Sequence, residues 1–243
     1  MGDLAVPADV AQGLSTFVDA AKAALGGDLV AVVLFGSAAE GRMRATSDVN
    51  LIVVATQFEP ARLDALRAPL RLAHALFQLQ VMLLRQDELP AAAEAFAVKF
   101  ADIRARHRVL HGPDLFASLE PTRAAMIVRL RQVLLNFILR TRERYARVSL
   151  RDEQLAPLVA DAAGPLRSAA ALILALEGRP EPSPKQALAT LAAELGGGAW
   201  GELLGALSQA RDEAMLPPGT GAATALGLID LAQALRQRAE RFS

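Results

Sequence analysis

Two apolar segments, separated by a Gly-Ser turn and a polar connection, constrain the fold of this chain more than any other feature. Residues 28–35 form a near-continuous apolar run that ends at Gly36 and Ser37, and a second apolar run opens with Asp48 and Asn50. Short apolar runs bounded by turn residues are typical of strands covered on both faces. Because successive strand side chains point to opposite faces, Asp48 and Asn50 share one face. The sequence therefore predicts two polar side chains at the mouth of a strand, beside a tight turn.

The rest of the chain divides into two parts with different patterns. Strand-like and helical segments alternate in the first part, which predicts an α/β domain over residues 1–118 with a mixed sheet and flanking helices. Only helical patterns follow, which predicts an all-α helical-bundle domain over residues 119–243. We expect a single helix over residues 90–103, and we expect Gly164 and Pro165 to kink or split the second helix of the bundle.

The order of these features resembles the nucleotidyltransferase superfamily, whose members share a polymerase-β-like fold. The family pattern is an apolar strand, Gly-Ser, a spacer of about ten residues and two acids flanking one residue at the start of a second strand. Gly36, Ser37 and Asp48 match this pattern. The two-part organisation is similar to that of aminoglycoside nucleotidyltransferases, and residues 100–114 resemble the end of the first domain in bacterial nucleotidyltransferases. The resemblance implies a nucleotide, a small-molecule acceptor and Mg²⁺ as partners.

The chain departs from the family at two of the three metal-binding carboxylates. Asn50 stands at the second position, and the third falls on a predicted strand that carries Gln78 and Gln80 on one face, with the register between them open. Three carboxylates would bring a charge of about −3 to two divalent cations, whereas Asp48 alone brings about −1. We therefore expect at most one weakly held Mg²⁺, bound by Asp48 and delivered with the nucleotide.

The turn carries the candidate phosphate-binding residues. Gly36 lets the backbone approach phosphate closely, and Ser37 adds a hydroxyl group and an N–H group. Arg42 and Arg44 would also meet phosphate from this connection, although solvated loop arginines explain them equally well. A P-loop is excluded, because Arg42 and Met43 stand at the positions of its lysine and hydroxyl residue.

Composition narrows the classes of protein that remain. The formal net charge is zero, which argues against a broadly basic nucleic-acid binder. The chain has no cysteine, which excludes disulfides and thiolate metal sites. No secretory signal and no membrane-spanning segment are evident, so we expect a cytoplasmic protein. The oligomeric state is open, and a homodimer is compatible with the sequence.

Three functions remain open from the sequence. The first is a degenerate nucleotidyltransferase that binds a nucleoside triphosphate with Mg²⁺ and transfers it poorly or not at all. The second is an active metal-dependent enzyme that moves a nucleoside monophosphate to a hydroxyl group of a small molecule, which would need a recruited acid such as Glu40, Asp87 or Glu88. The third is a binding or scaffold protein that keeps the fold for its surface.

Overall fold

The computed structural model describes residues 6–43, 47–196 and 200–243, and the chain divides into two compact units between Pro121 and Thr122. The first unit is built on strands β1 (Leu29–Phe35), β2 (Val49–Ala55), β3 (Leu79–Arg85) and β4 (His107–His111). Their order in the sheet is β3-β2-β1-β4. Strand β1 is antiparallel to β2 and β4, and β2 is parallel to β3. The predicted mixed sheet is therefore confirmed.

Helices cover both faces of this sheet. The four main ones are α1 (Ala8–Leu25), α2 (Pro60–Phe77), α3 (Leu89–Ala95) and α4 (Ala97–Ala105). Val32 and Leu34 of β1 lie in the same core cluster as residues of α1 and α2, whereas Val33 and Phe35 cluster with residues of α3 and α4. Burial on both faces explains why the strands have near-continuous apolar sequences.

The segment predicted as one helix over residues 90–103 is two helices. The backbone leaves the helical region at Phe96, where φ is −121° and ψ is 40°, and this residue ends α3 and precedes α4. Buried positions continue at helical spacing on both sides of the break, from Ala92 to Phe100. The apolar pattern alone therefore does not mark the break.

The second unit is entirely helical in the part that the structure describes. Its helices are α5 (Arg123–Val148), α6 (Asp152–Leu176), α7 (Pro184–Gly196), α8 (Gly201–Glu213) and α9 (Gly221–Ala239). Helix α6 packs against the other four. Pro157 and Pro165 both lie inside α6, which continues through them. Of the expected kink or split at Gly164 and Pro165, the split does not occur, because a central helix gains enough from packing on all sides to retain the helix despite the lost hydrogen bonds. The kink stays a prediction.

The apolar composition of helix α6 bears on the expectation that no segment spans a membrane. Among the described residues, Glu153–Leu176 is long and apolar enough to cross a membrane by length and composition. However, 61% of the apolar window is buried within the protein, which is the environment of a core helix. No membrane protein is indicated.

Four charged side chains form a network between the ends of α6, α7 and α9. Arg238 donates two hydrogen bonds to the Glu177 carboxylate, at 2.7 and 2.8 Å, and its Nη1 lies 2.7 Å from Glu194. Arg179 donates to the same two acids, at 2.6 Å to Glu177 and 2.8 Å to Glu194. Hydrogen bonds from Arg238, and then from Arg179, lower the pKa of Glu177 to about 2. The network therefore stabilises the ionised carboxylate in the folded unit.

We predict that Glu177→Gln lowers the free energy of unfolding of the helical unit by about 1–3 kcal/mol at neutral pH. Because the pKa of Glu177 is lowered from 4.5 to about 2 on folding, its contribution is complete above its unfolded pKa and is lost as the pH falls towards the folded value. The variant should therefore lose less stability on acidification than the wild type. Urea unfolding followed by the fluorescence of Trp200, the single tryptophan, measures both effects.

Asp161→Asn is the matched control for this prediction. Asp161 pairs with Arg144 at 2.9 Å, but both side chains are more exposed, at 64% and 37%. Exposed pairs contribute little, so the control should change the unfolding free energy by less than about 1 kcal/mol. Equal stability of Glu177→Gln and wild type at neutral pH would contradict the assigned role of the network.

Candidate functional site

The turn after β1 is fixed by the conformation of Gly36. Its φ is +78°, in a region that favours glycine, while a Cβ atom there would meet nothing within 4 Å. Glycine is therefore required at this position by the backbone conformation and not by a lack of space for a side chain. Residues 36–38 form a single 3₁₀ turn. At its start the Gly36 N–H donates to the carbonyl of Arg106, outside the turn, at 3.2 Å. The Arg42 N–H closes the turn on the Ser37 carbonyl at 2.9 Å.

The polar residues of β2 and β3 meet at the same end of the sheet. Asn50 pairs with Phe35 on one side and with Gln80 on the other. Directly paired residues project from the same face, so the two amides stand side by side. Gln78 caps α2 in the left-handed conformation, with φ 54° and ψ 39°, and precedes β3. Of the two glutamines that the sequence left open, Gln80 is the one placed next to Asn50.

Asn50 also donates a local hydrogen bond that an aspartate could not donate. Its Nδ2 donates to the backbone carbonyl of Asp48 at 3.4 Å, and a carboxylate has no N–H group to donate. Asp48 itself lies just before β2 with an exposed side chain. The amide therefore stabilises the entry to the strand as well as standing at a candidate ligand position.

The structure describes three of the four predicted phosphate-binding residues, and they differ in exposure. Gly36 and Ser37 lie in the turn that follows β1, and Ser37 is half-buried. Arg42 is exposed at the end of the turn. Arg44 lies outside the described residues, so its position is not assigned. These site roles remain predictions.

A charged cluster fixes the turn to the end of α4. Arg106 Nη1 donates to Glu40 in the turn at 2.9 Å, and the same guanidinium pairs with Asp102 of α4. All three side chains are about 20% exposed. Burial raises the pKa of Asp102, against the opposing attraction of Arg106. Glu40 is thus committed to an ion pair in this structure and is not directed to a metal.

The other two acids considered from the sequence are also engaged in ion pairs. Asp87 accepts a hydrogen bond from Arg85 Nη2 at 2.7 Å, and Glu88 accepts from the Arg85 backbone N–H at 2.9 Å. Both acids follow the last residue of β3, whereas Gln80 is near its beginning. They therefore lie towards the opposite end of the strand from the candidate site.

The residues present do not fit a two-metal centre. Within the described part of the chain, no group of three or more His, Cys, Asp or Glu side chains is arranged to hold a metal ion. Asp48 offers one carboxylate, and the amide oxygens of Asn50 and Gln80 bring no charge. This donor set suits one Mg²⁺ whose remaining ligands are phosphate oxygens and water.

Sequence reasoning missed Lys99 as a candidate site residue. Its Nζ lies 5.4 Å from the ring centroid of Phe35, the residue that immediately precedes the Gly36 turn. Burial of the ammonium lowers the pKa of Lys99. The spacing of Lys99 and Asp102, at i and i+3, is the sequence signal that would have placed the two on one face of α4.

Comparisons with known proteins support the fold. No protein-family model matches the chain, and neither does any curated protein. Among solved structures, the chain is similar to the crystal structure of spectinomycin adenyltransferase AAD(9) from Enterococcus faecialis with ATP and spectinomycin. The TM-score is 0.65 at 12% sequence identity, and the match covers 92% of this chain and 99% of that one.

This similarity extends over both units of the chain. At 12% identity it establishes the fold, and the predicted nucleotidyltransferase fold with a helical second part, like that of aminoglycoside nucleotidyltransferases, is confirmed. Fold alone does not assign activity, which depends on the particular residues at the site.

We predict that Arg106→Met destabilises the first unit by about 2–4 kcal/mol, because it leaves Glu40 and Asp102 partly buried without their counter-ion. Arg104→Met is the matched control on the same helix, since Arg104 pairs with Glu120 where the two side chains are 42% and 66% exposed. Thermal unfolding together with hydrogen exchange over residues 29–55 measures the effect and its location. Equal exchange protection in the two variants would rule out a special role for Arg106 in holding the turn.

Proposed function

We propose that this protein is a degenerate nucleotidyltransferase that binds a nucleoside triphosphate with one Mg²⁺ and transfers the nucleotide poorly or not at all. The observation that carries the proposal is the lateral pair of Asn50 and Gln80 across β2 and β3. Two neutral amides stand together beside Asp48, at positions where the family resemblance implies carboxylates.

Electrostatics favours this assignment over ordinary two-metal transfer. Two divalent cations about 3.5–4 Å apart repel each other strongly, and carboxylates normally offset that repulsion. Asp48 supplies about −1, and the amides add ligand oxygens without charge. Recruiting Glu40 would require breaking its partly buried pair with Arg106, and Asp87 and Glu88 lie beyond the other end of β3.

The parts of the family pattern that this chain retains support nucleotide binding. The Gly36 turn brings the backbone and the Ser37 side chain to the strand ends, and Arg42 with Arg44 would add positive charge for phosphate. The similar structure was solved with ATP and spectinomycin, so the proposal extends to a purine nucleotide and a small-molecule acceptor as partners. A cytoplasmic location is part of the same proposal.

Active transfer is the alternative that the observations also support. Asp48 and the turn are kept, and the fold is shared with an adenyltransferase. In that case the reaction would be transfer of a nucleoside monophosphate to a hydroxyl group of a small molecule, with release of pyrophosphate, and Asp48 would be the essential metal ligand.

Nucleotide binding is tested by calorimetry with ATP and with GTP, each with and without Mg²⁺. We expect weak saturable binding, with dissociation constants of about 0.1–1 mM, that tightens when Mg²⁺ is present. Asp48→Ala should remove most of the Mg²⁺ effect, while Asp161→Ala on α6 should not. Absence of heat and of thermal stabilisation with either nucleotide would instead indicate a scaffold protein.

Transfer is tested by restoring the carboxylates. Asn50→Asp with Gln80→Asp should tighten Mg²⁺ binding by about tenfold or more, because two charges are added next to Asp48. Asn50→Asp with Gln78→Asp is the matched control, since Gln78 precedes β3 and caps α2. The wild type should release no pyrophosphate from labelled nucleotide across a panel of acceptors. Wild-type turnover that Asp48→Ala abolishes would establish the active alternative.

A further inference from the structure

One face of α4 is linked to the Gly-Ser turn. Lys99 and Asp102 are spaced at i and i+3 and therefore share a face of this helix. Asp102 pairs with Arg106, the residue that follows α4, and the Arg106 guanidinium also reaches Glu40 in the turn at 2.9 Å. Through these contacts the face that carries Lys99 and Asp102 is linked to the turn.

The ammonium of Lys99 lies over the strand end that holds the candidate site. It is 5.4 Å from the ring centroid of Phe35, and Phe35 pairs with Asn50, which pairs with Gln80. These three side chains project from one face of the sheet, and Lys99 approaches that face from α4. Within the described residues, Lys99 has this cation–π contact and no ion pair.

A cation at this position changes the charge of the site. The formal charges of Asp48 and Lys99 sum to zero. Three carboxylates without a lysine would instead repel the phosphates of a nucleotide until metal ions were bound. The aromatic ring of Phe35 attracts the ammonium, which opposes the lowering of the Lys99 pKa by burial. A lysine ammonium is a compact point charge well suited to phosphate oxygens.

We propose that Lys99 is a phosphate-positioning residue whose built-in charge takes the place of the second metal ion, so that nucleotide binding depends only weakly on Mg²⁺. This inference rests on the proposed nucleotide binding and adds a residue that the family pattern does not supply. It also implies that Lys99 would partly offset the negative charge of carboxylates introduced in place of Asn50 and Gln80. Those carboxylates would reach their full metal affinity only in a variant without the lysine.

The first test is ATP titration in EDTA and in Mg²⁺. We expect wild-type affinity to change by less than about tenfold between the two buffers, and Lys99→Met to weaken binding in EDTA by about tenfold or more. Methionine keeps the apolar contact with Phe35, and Lys99→Arg should restore binding because it restores the charge. Lys22→Met, on the exposed face of α1, is the matched control.

Equal affinity of wild type and Lys99→Met in both buffers would overturn the inference and leave the proposed function standing. Absence of ATP binding to the wild type in either buffer would overturn both. A loss of binding that Lys99→Arg does not restore would mean that side-chain packing and not charge is responsible, which also overturns the inference.

The second test needs no nucleotide and uses Mn²⁺ as the probe. Its binding is compared in Asn50→Asp/Gln80→Asp and in the same variant carrying Lys99→Met. We expect the triple variant to bind Mn²⁺ about tenfold more tightly or better, because a neighbouring positive charge has been removed. Equal Mn²⁺ affinity would show that Lys99 lies outside the electrostatic reach of the site and would overturn the inference.

Discussion

Strand β1 lies between β2 and β4, with residues 31–35 all buried, and its pairing with β2 sets the position of Asn50 and, through β3, of Gln80. The register with β2 places Asn50 opposite Phe35, the last residue of β1. The chain then turns at Gly36, so the turn and the polar start of β2 meet at one end of the sheet. A shift of one residue in β2 would move Asn50 to the opposite face, into the core formed with α1 and α2. Burial of both faces is therefore what fixes the site.

Charge at this end of the sheet follows from the same arrangement. The register places two amides next to each other, so the carboxylates implied by the family resemblance are missing from adjacent positions of one surface. Positive charge approaches from α4 through Lys99 above Phe35, whereas the charge of Arg106 is offset by Glu40 and Asp102. The site as a whole is consequently much less negative than a centre built to hold two divalent cations.

Acids elsewhere in the first unit serve the fold. Glu40 and Asp102 share Arg106, which ties the turn to α4, and Asp87 and Glu88 are held by Arg85 after β3. The pairs of Arg106 are partly buried and costly to break, because the acid left behind loses both water and its counter-ion. The pairs of Arg85 are exposed and contribute little. The Arg106 pairs thus keep the turn in place and hold Glu40 away from the role of a substitute metal ligand.

The amino-acid sequence by itself determined the mixed sheet and the change to helices after Pro121, because those features follow from apolar periodicity and turn chemistry over short distances. It left open whether Gln78 or Gln80 faces Asn50, and it predicted one helix where Phe96 separates α3 from α4. Only the tertiary structure decided these points, together with the position of Lys99 and the partners of Glu40. Strand register, helix direction and ion pairing depend on contacts between segments that are distant in the chain. Local sequence patterns do not specify such contacts, which form only when the sheet and its helices come together.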